Sequence, residues 1–193
     1  HISNTKYAKK NHVVANASSA CEVICDMLDE EKISKAAATA LYTGMIHDSG
    51  VFKYESTSRH TMNLAGMLME KGVEFSTIID EGFYEKSYVQ NQILGRALLE
   101  SILVLDGKCI FSAISKAEMD FYKVSDREMG GIVEQLRLTA GVDCAIFMYE
   151  ISNMEYKVSL RSKKTVDCNA VAGYFGGGGH VRAAGCTLKG TVH

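Results

Sequence analysis

The sequence of 193 residues contains no proline, against an average usage of about 5%, and no low-complexity tract other than four consecutive glycines, Gly176 to Gly179. A proline-rich linker or recognition segment is thereby excluded; no function follows from the missing proline itself. Six cysteines (Cys21, Cys25, Cys109, Cys144, Cys168, Cys186) include no C-x-x-C pair. This argues against a zinc knuckle and a disulfide framework, and the expectation is reduced, mostly buried thiols. No apolar run approaches the roughly 20 residues of a membrane span, and the opening residues lack the charged, apolar, small-residue order of a secretory signal. A cytoplasmic protein without a membrane partner is therefore expected. Excess basic charge is also lacking: the formal net charge is −2. Nucleic acid would have to be held locally in a pocket rather than over a basic face, which disfavours long duplexes.

What is present is enough apolar chain, 47% hydrophobic, to bury one large core or two small ones. Ser19-Ala20-Cys21-Glu22 has the spacing of a capping box, and Val23, Ile24, Met27 and Leu28 continue at helical spacing, which predicts a helix from about Ser19 to Glu30. Ser34 caps a second expected helix over Lys35 to Ile46, broken by His47-Asp48-Ser49-Gly50 and so placing Asp48 at a helix terminus. A third begins at Thr57 or Ser58, with Met62, Leu64, Ala65, Leu68 and Met69 on its apolar face and Gly72 as its stop. Ser76 starts a short fourth and Lys86 to Glu100 forms a fifth. Most of the nine methionines lie on these faces, where core packing is their expected role.

After Leu99 the pattern changes. Ile102–Leu105 and Cys109–Ile114 around Asp106-Gly107 read as a hairpin. A helix from about Asp126 to Leu138 and strands over Val142–Tyr149 and Tyr156–Arg161 complete a small α+β module. The boundary is expected near residues 95 to 102, giving a mostly helical domain over residues 1–95 and a mixed-sheet domain over residues 96–193.

The glycine run is the strongest chemical signal. Backbone that approaches an anion closely carries no Cβ, and a glycine run opening a helix offers N–H groups and a positive dipole end. Asp167 can cap the helix that leads into the run, Val181-Arg182-Ala183-Ala184 follows with good helix formers, and His180 adds a donor at the mouth. A phosphate cradle is expected there rather than a flexible linker.

The stretch V-S-L-R-S (Val158–Ser162) followed by F-G-G-G-G-H-V-R-A-A-G (Phe175–Gly185) resembles the DHHA1 module of the DHH phosphoesterases. A-S-S-A-C-E (Ala17–Glu22) and A-L-Y-T-G-M-I-H-D-S-G-V-F-K-Y (Ala40–Tyr54) resemble late motifs of the catalytic DHH domain. The order matches the NrnA-like branch, which cleaves very short RNAs and dephosphorylates 3′-phosphoadenosine 5′-phosphate (pAp), with some members described as exopolyphosphatase-related. The resemblance implies an α/β fold: part of a DHH domain, mostly its helical end, then a smaller α+β DHHA1 domain with a mixed sheet.

It also implies residue roles. His1, opening H-I-S-N, resembles the second histidine of the Asp-His-His motif and would act at the scissile phosphate as a catalytic residue. Asp48 would supply the last metal carboxylate. Arg161, Gly177, Gly178, Gly179 and His180 would bind substrate. Two Mn²⁺ ions, with Mg²⁺ as the alternative, would activate water. The earlier metal motifs would precede His1, so this chain alone is expected to be a poor metal binder and inactive. Expected partners are short single-stranded RNA or a nucleotide bisphosphate, and a second copy in a homodimer. Hydrolysis of cyclic dinucleotides or polyphosphate, and RNA binding without catalysis, are the alternatives. One departure is Gly130, where the family usually carries an acidic residue.

Overall fold

The computed structural model describes residue 5 and residues 8–191. The chain forms two compact units that divide between Glu85 and Lys86.

The first unit is helical: α1 (Ala20–Met27), α2 (Lys35–Ser49), α3 (Arg59–Glu70) and α4 (Phe75–Ile79), with a π-helical stretch over Asp80–Tyr84. Helices α1, α2 and α3 begin where a hydroxyl can satisfy a first-turn amide, whereas α4 starts after Glu74, not at the expected Ser76, and has no side-chain cap. Ser19 accepts from the Glu22 amide, Ser34 from Ala37, and Ser58 and Thr61 form a reciprocal capping box. The core is Cys25, Leu41, Tyr42, Met45, Ile46, Ala65 and Leu68, supplied by α1, α2 and α3. Helix α2 runs three residues beyond the expected Ile46 and closes at Gly50, whose left-handed φ of 59° suits glycine. Asp48 thus sits within its last turn.

Methionine packing is mixed. Met45, Met119 and Met129 are buried, whereas Met27, Met62, Met69 and Met154 are exposed. On α3 the reason is geometric: Thr61, Ala65 and Leu68 form a narrow buried stripe, which puts Met62 and Met69 on its flanks.

The second unit begins with α5 (Tyr88–Leu99), which contributes Ile93 and Ala97 to its core, and continues as β1 (Ile102–Val104), β2 (Cys109–Ile114), α6 (Lys116–Tyr122), α7 (Ile132–Arg137), β3 (Cys144–Ser152), β4 (Glu155–Ser162), α8 (Cys168–Tyr174), β5 (Gly178–His180) and β6 (Ala183–Lys189). The strands form one mixed sheet in the order β1-β2-β3-β4-β6-β5; β2 and β3 are parallel and the other neighbours antiparallel. The β1–β2 hairpin turns through Leu105, Asp106 and Gly107, all at positive φ, as the Asp-Gly pair predicts. One face packs against α5, α6 and α7 through Ile110, Ile114, Met119, Ile132, Leu136 and Phe147. The other packs against α8 through Val158, Leu160, Cys168, Ala172, Ala184 and Cys186. All six cysteines are free thiols, five of them buried. Burial pushes the Cys144 thiol up to about 12.

Three sequence expectations change here. The helix expected over residues 126–138 is a 3₁₀ turn (Asp126–Met129) followed by the shorter α7, because Gly131 takes φ 85° between them. Helix α6 was unforeseen, although Ser115 and Glu118 make a complete capping box at its start. Residues 183 and 184, expected to be helical, open strand β6: pairing with Arg161 and Leu160 on β4 outweighs the weak intrinsic preference of alanine for helix.

The glycine run ends a helix instead of opening one. Gly176, at φ 77°, lies just beyond α8, and the chain then turns into edge strand β5. Two of the four glycines are required by contacts inside the unit. A Cβ on Gly177 would stand 2.2 Å from the Gly185 carbonyl oxygen, and one on Gly179 would stand 2.6 Å from that of Ala183. Gly177→Ala is therefore expected to cost about 1–3 kcal/mol by overpacking, seen as a lower urea midpoint for the second unit. An unchanged midpoint would show that β5 can shift at no cost.

Candidate catalytic and substrate-binding sites

In the first unit Asp48 borders a concavity of about 340 Å³ whose other lining residues include Val14, Ala17, Ser18, Ser19 and Val23. Two sequence-distant segments therefore meet: the last turn of α2 and the A-S-S-A-C-E segment that opens α1. Burial, and after it the charge on Asp48, pushes the Cys21 thiol above its ordinary value. Close packing of α1 on α2 requires Gly44, since a Cβ there would fall on the Cys21 sulfur.

Behind this wall lies Glu22, 5% exposed. Its Oε2 accepts from the Ser18 amide at 3.1 Å, from the Ser18 hydroxyl, and from the Thr61 hydroxyl at 2.8 Å. The box expected between Ser19 and Glu22 is thus half formed: Ser19 caps the helix, while Glu22 reaches back one residue further and across to α3. Burial raises the Glu22 carboxyl, but the hydrogen bonds from Ser18 and Thr61 outweigh it and leave it below the usual carboxylate range. His60 pairs with Asp26 at 2.8 Å, and the exposed His47 ring lies against Phe83 with centroids 4.8 Å apart.

His1 lies outside the described residues. Among the described residues, no group of three His, Cys, Asp or Glu side chains is placed to hold a metal ion. Asp48 is the one carboxylate lining its concavity, and a two-ion centre needs a larger donor set. The described residues alone do not fit such a centre.

In the second unit the sheet register aligns the expected substrate residues. Arg161 on β4 stands opposite Ala183 on β6, which stands opposite His180 on β5. Directly opposed residues share a face, so Arg161 and His180 flank β6 on one side of the sheet, about 10 Å apart at two strand spacings. The next row on that face is Ser159, Gly185 and Gly178, and the next is Lys157 and Thr187. This middle row, two glycines and the small hydroxyl of Ser159, separates two rows that carry cationic or hydroxyl groups. Arg161 is 34% exposed at its side chain; its Nε is 3.7 Å from Glu134 on α7, and its Nη1 donates to its neighbour's carbonyl, Leu160, at 2.9 Å. Glu134 also pairs with Arg137. His180 is exposed, its Nδ1 accepting from the Arg182 amide at 3.3 Å.

The bare-amide cradle expected of Gly177 to Gly179 takes a different form. The amides of Gly176, Gly177 and Gly179 donate to Gly173, Ala172 and the Asn169 side chain, so they serve the fold before any ligand. The run lies at the C-terminal end of α8, where the helix dipole presents carbonyls. The cationic or imidazole side chains on this face of β4 and β5 are those of Arg161, Lys157 and His180. A concavity of about 550 Å³ is lined by residues that include Lys157, Ser159, Phe175, Gly177, Gly185 and Thr187, with Arg161 and His180 one row away on the sheet. Gly130 is extended, and a Cβ there would meet its surroundings at an ordinary 3.7 Å, so packing does not demand glycine. No described helix is long and apolar enough to cross a membrane.

The DHHA1 domain family matches residues 106–192, the stretch that holds Arg161 and His180. Residues 106–192 thus carry a DHHA1 domain. The chain is similar to the probable bifunctional oligoribonuclease and PAP phosphatase NrnA of Streptococcus mutans, 28% identical over an alignment of 190 positions that covers 96% of this chain and 59% of the relative. It is also similar to the bifunctional oligoribonuclease and PAP phosphatase NrnA of Thermus thermophilus, 28% identical over an alignment of 193 positions that covers 98% of this chain and 57% of that protein. An exopolyphosphatase-related protein from Bacteroides fragilis has the same fold, with TM-score 0.89 and 27% identity over 100% of this chain and 58% of that one. The chain thus spans somewhat under three fifths of these relatives' lengths.

The Glu22 network has a measurable consequence. A carboxyl lowered on folding adds stability that is present above its unfolded value, about 4.3, and is lost as pH falls through the folded value. Glu22→Gln is expected to cost about 1–3 kcal/mol at neutral pH and to flatten the acid limb of a stability–pH curve; equal acid limbs in both proteins would count against this role.

Proposed function

We propose that this chain carries the substrate-holding half, and one metal ligand, of a Mn²⁺-dependent phosphoesterase acting on short oligoribonucleotides and pAp. The observation that carries the proposal is the shared row of Arg161 and His180 on one face of the DHHA1 sheet. A guanidinium fork and an imidazole on either side of the small Ala183 suit a terminal phosphate approached from the sheet face. The relatives' names, oligoribonuclease and PAP phosphatase, support this substrate class. In this reading Asp48 supplies one carboxylate to divalent ions, Mn²⁺ or Mg²⁺; the other ligands lie outside the described residues, and His1 acts at the scissile phosphate. The bound ions would supply an activated water and charge neutralisation. What the described residues contribute is recognition: Arg161 and His180 fix the phosphate end, so strands too long to place an end there are poor substrates. A homodimer in the cytoplasm belongs to the same proposal.

In full-length protein assayed with Mn²⁺ against pApA, pAp, cyclic di-AMP and polyphosphate, the first two are expected to turn over fastest. Asp48→Asn should abolish turnover, and Arg161→Ala should raise KM for pAp roughly tenfold or more, as expected for losing a charged hydrogen bond. The chain of 193 residues alone should bind pAp without hydrolysing it. Faster turnover of polyphosphate than of pAp would overturn the proposal, as would enzyme-like hydrolysis by the chain alone.

A further inference from the structure

The end of α8 carries two aromatic rings that the core does not use. Helix α8 buries Cys168 and Ala172, yet its last residue, Tyr174, is 85% exposed and the next, Phe175, is 47% exposed. The rings meet edge to face, centroids 5.0 Å apart at 88°, so each holds the other's orientation. They immediately precede Gly176. Phe175 also lines the concavity of about 550 Å³ shared with Lys157, Ser159, Thr187 and the glycines, a volume within the usual range for small-molecule sites.

The lining has three kinds of chemistry. Phe175 offers an aromatic surface, Ser159 and Thr187 offer hydroxyls, and Lys157 offers a cation, while Arg161 and His180 occupy the row beside Ser159 and Gly185 on the sheet. A polyphosphate chain is anionic throughout and has no use for an aromatic wall. A nucleotide has a flat ring to stack, sugar hydroxyls to hydrogen-bond, and phosphate to pair with cations.

We infer that Phe175, braced by Tyr174, is a base-stacking residue that makes this site selective for nucleotides over base-free phosphate chains. The inference rests on the substrate-holding role proposed above for the second unit, and it names what that unit reads besides phosphate. Stacking is tolerant of base identity because every base has a π-face, so purine and pyrimidine nucleotides should both bind.

The test is calorimetric titration of the intact chain with pAp and with inorganic tripolyphosphate. Wild type should bind pAp more tightly. Phe175→Ala and Phe175→Leu should each weaken pAp binding roughly tenfold, in the range of one lost base stack, and leave tripolyphosphate unchanged, while Phe175→Trp should retain pAp affinity. The leucine variant keeps apolar volume, and a thermal melt matching wild type separates lost stacking from lost folding. Equal weakening toward both ligands, or unchanged pAp affinity in the alanine and leucine variants, would overturn the inference. Arg161→Ala separates it from the broader proposal. Loss of both ligands in that variant with no effect at Phe175 leaves phosphate holding and removes stacking; a selective effect at Phe175 with none at Arg161 does the reverse. Wild type binding neither ligand would sink both.

Discussion

The close approach of the Gly177 backbone to the Gly185 carbonyl is the contact on which the second unit's site depends. With no Cβ at Gly177 or Gly179, the chain leaving α8 can fold back against β6 and add β5 as an edge strand. That pairing sets His180 opposite Ala183, and Ala183 is opposite Arg161. Two residues far apart in sequence thus share a row because of a packing condition met by residues with no side chain. The amides of Gly176, Gly177 and Gly179 are occupied by Gly173, Ala172 and Asn169, and what the glycines provide is proximity and a flat surface.

The first unit relies on a comparable arrangement with a buried charge. Glu22 has three donors directed at one carboxylate oxygen, which offsets the cost of removing it from water. The same bonds tie the segment before α1 to α3 and so fix the wall that faces Asp48. Gly44 lets α1 lie close enough to α2 for that wall and the last turn of α2 to border one concavity. In both units glycines inside the fold set the distance between elements, and polar side chains are placed by that distance.

Local chemistry was legible where it is decided locally. Ser19, Ser34 and Ser58 begin helices, Gly50 and Gly72 end them near where the sequence suggests, and Asp106-Gly107 turns the hairpin. The Ser115–Glu118 capping box is equally local. Expectation failed where a segment's partner decides its state. Ala183-Ala184 is helix-favouring in isolation, but β4 and β5 on either side make it a strand. Gly131 interrupts what the apolar positions Ile132, Val133 and Leu136 suggested as one longer helix. The glycine run signalled close approach correctly, but the object approached is the chain's own β6.

The sequence by itself determined the helix caps, the turns, the need for bare backbone near residue 177, and the residue types available for anion binding, because each depends on interactions within a few positions. Only the tertiary structure decided that Arg161 and His180 share a face, that Glu22 reaches Thr61, that Asp48 meets the Ser18-Ser19 segment, and that the amides of Gly176, Gly177 and Gly179 are already bonded. Strand register and helix packing are set by contacts between segments distant along the chain, and no local pattern of side chains specifies which of the alternative pairings buries the most apolar surface while leaving the fewest polar groups unpaired.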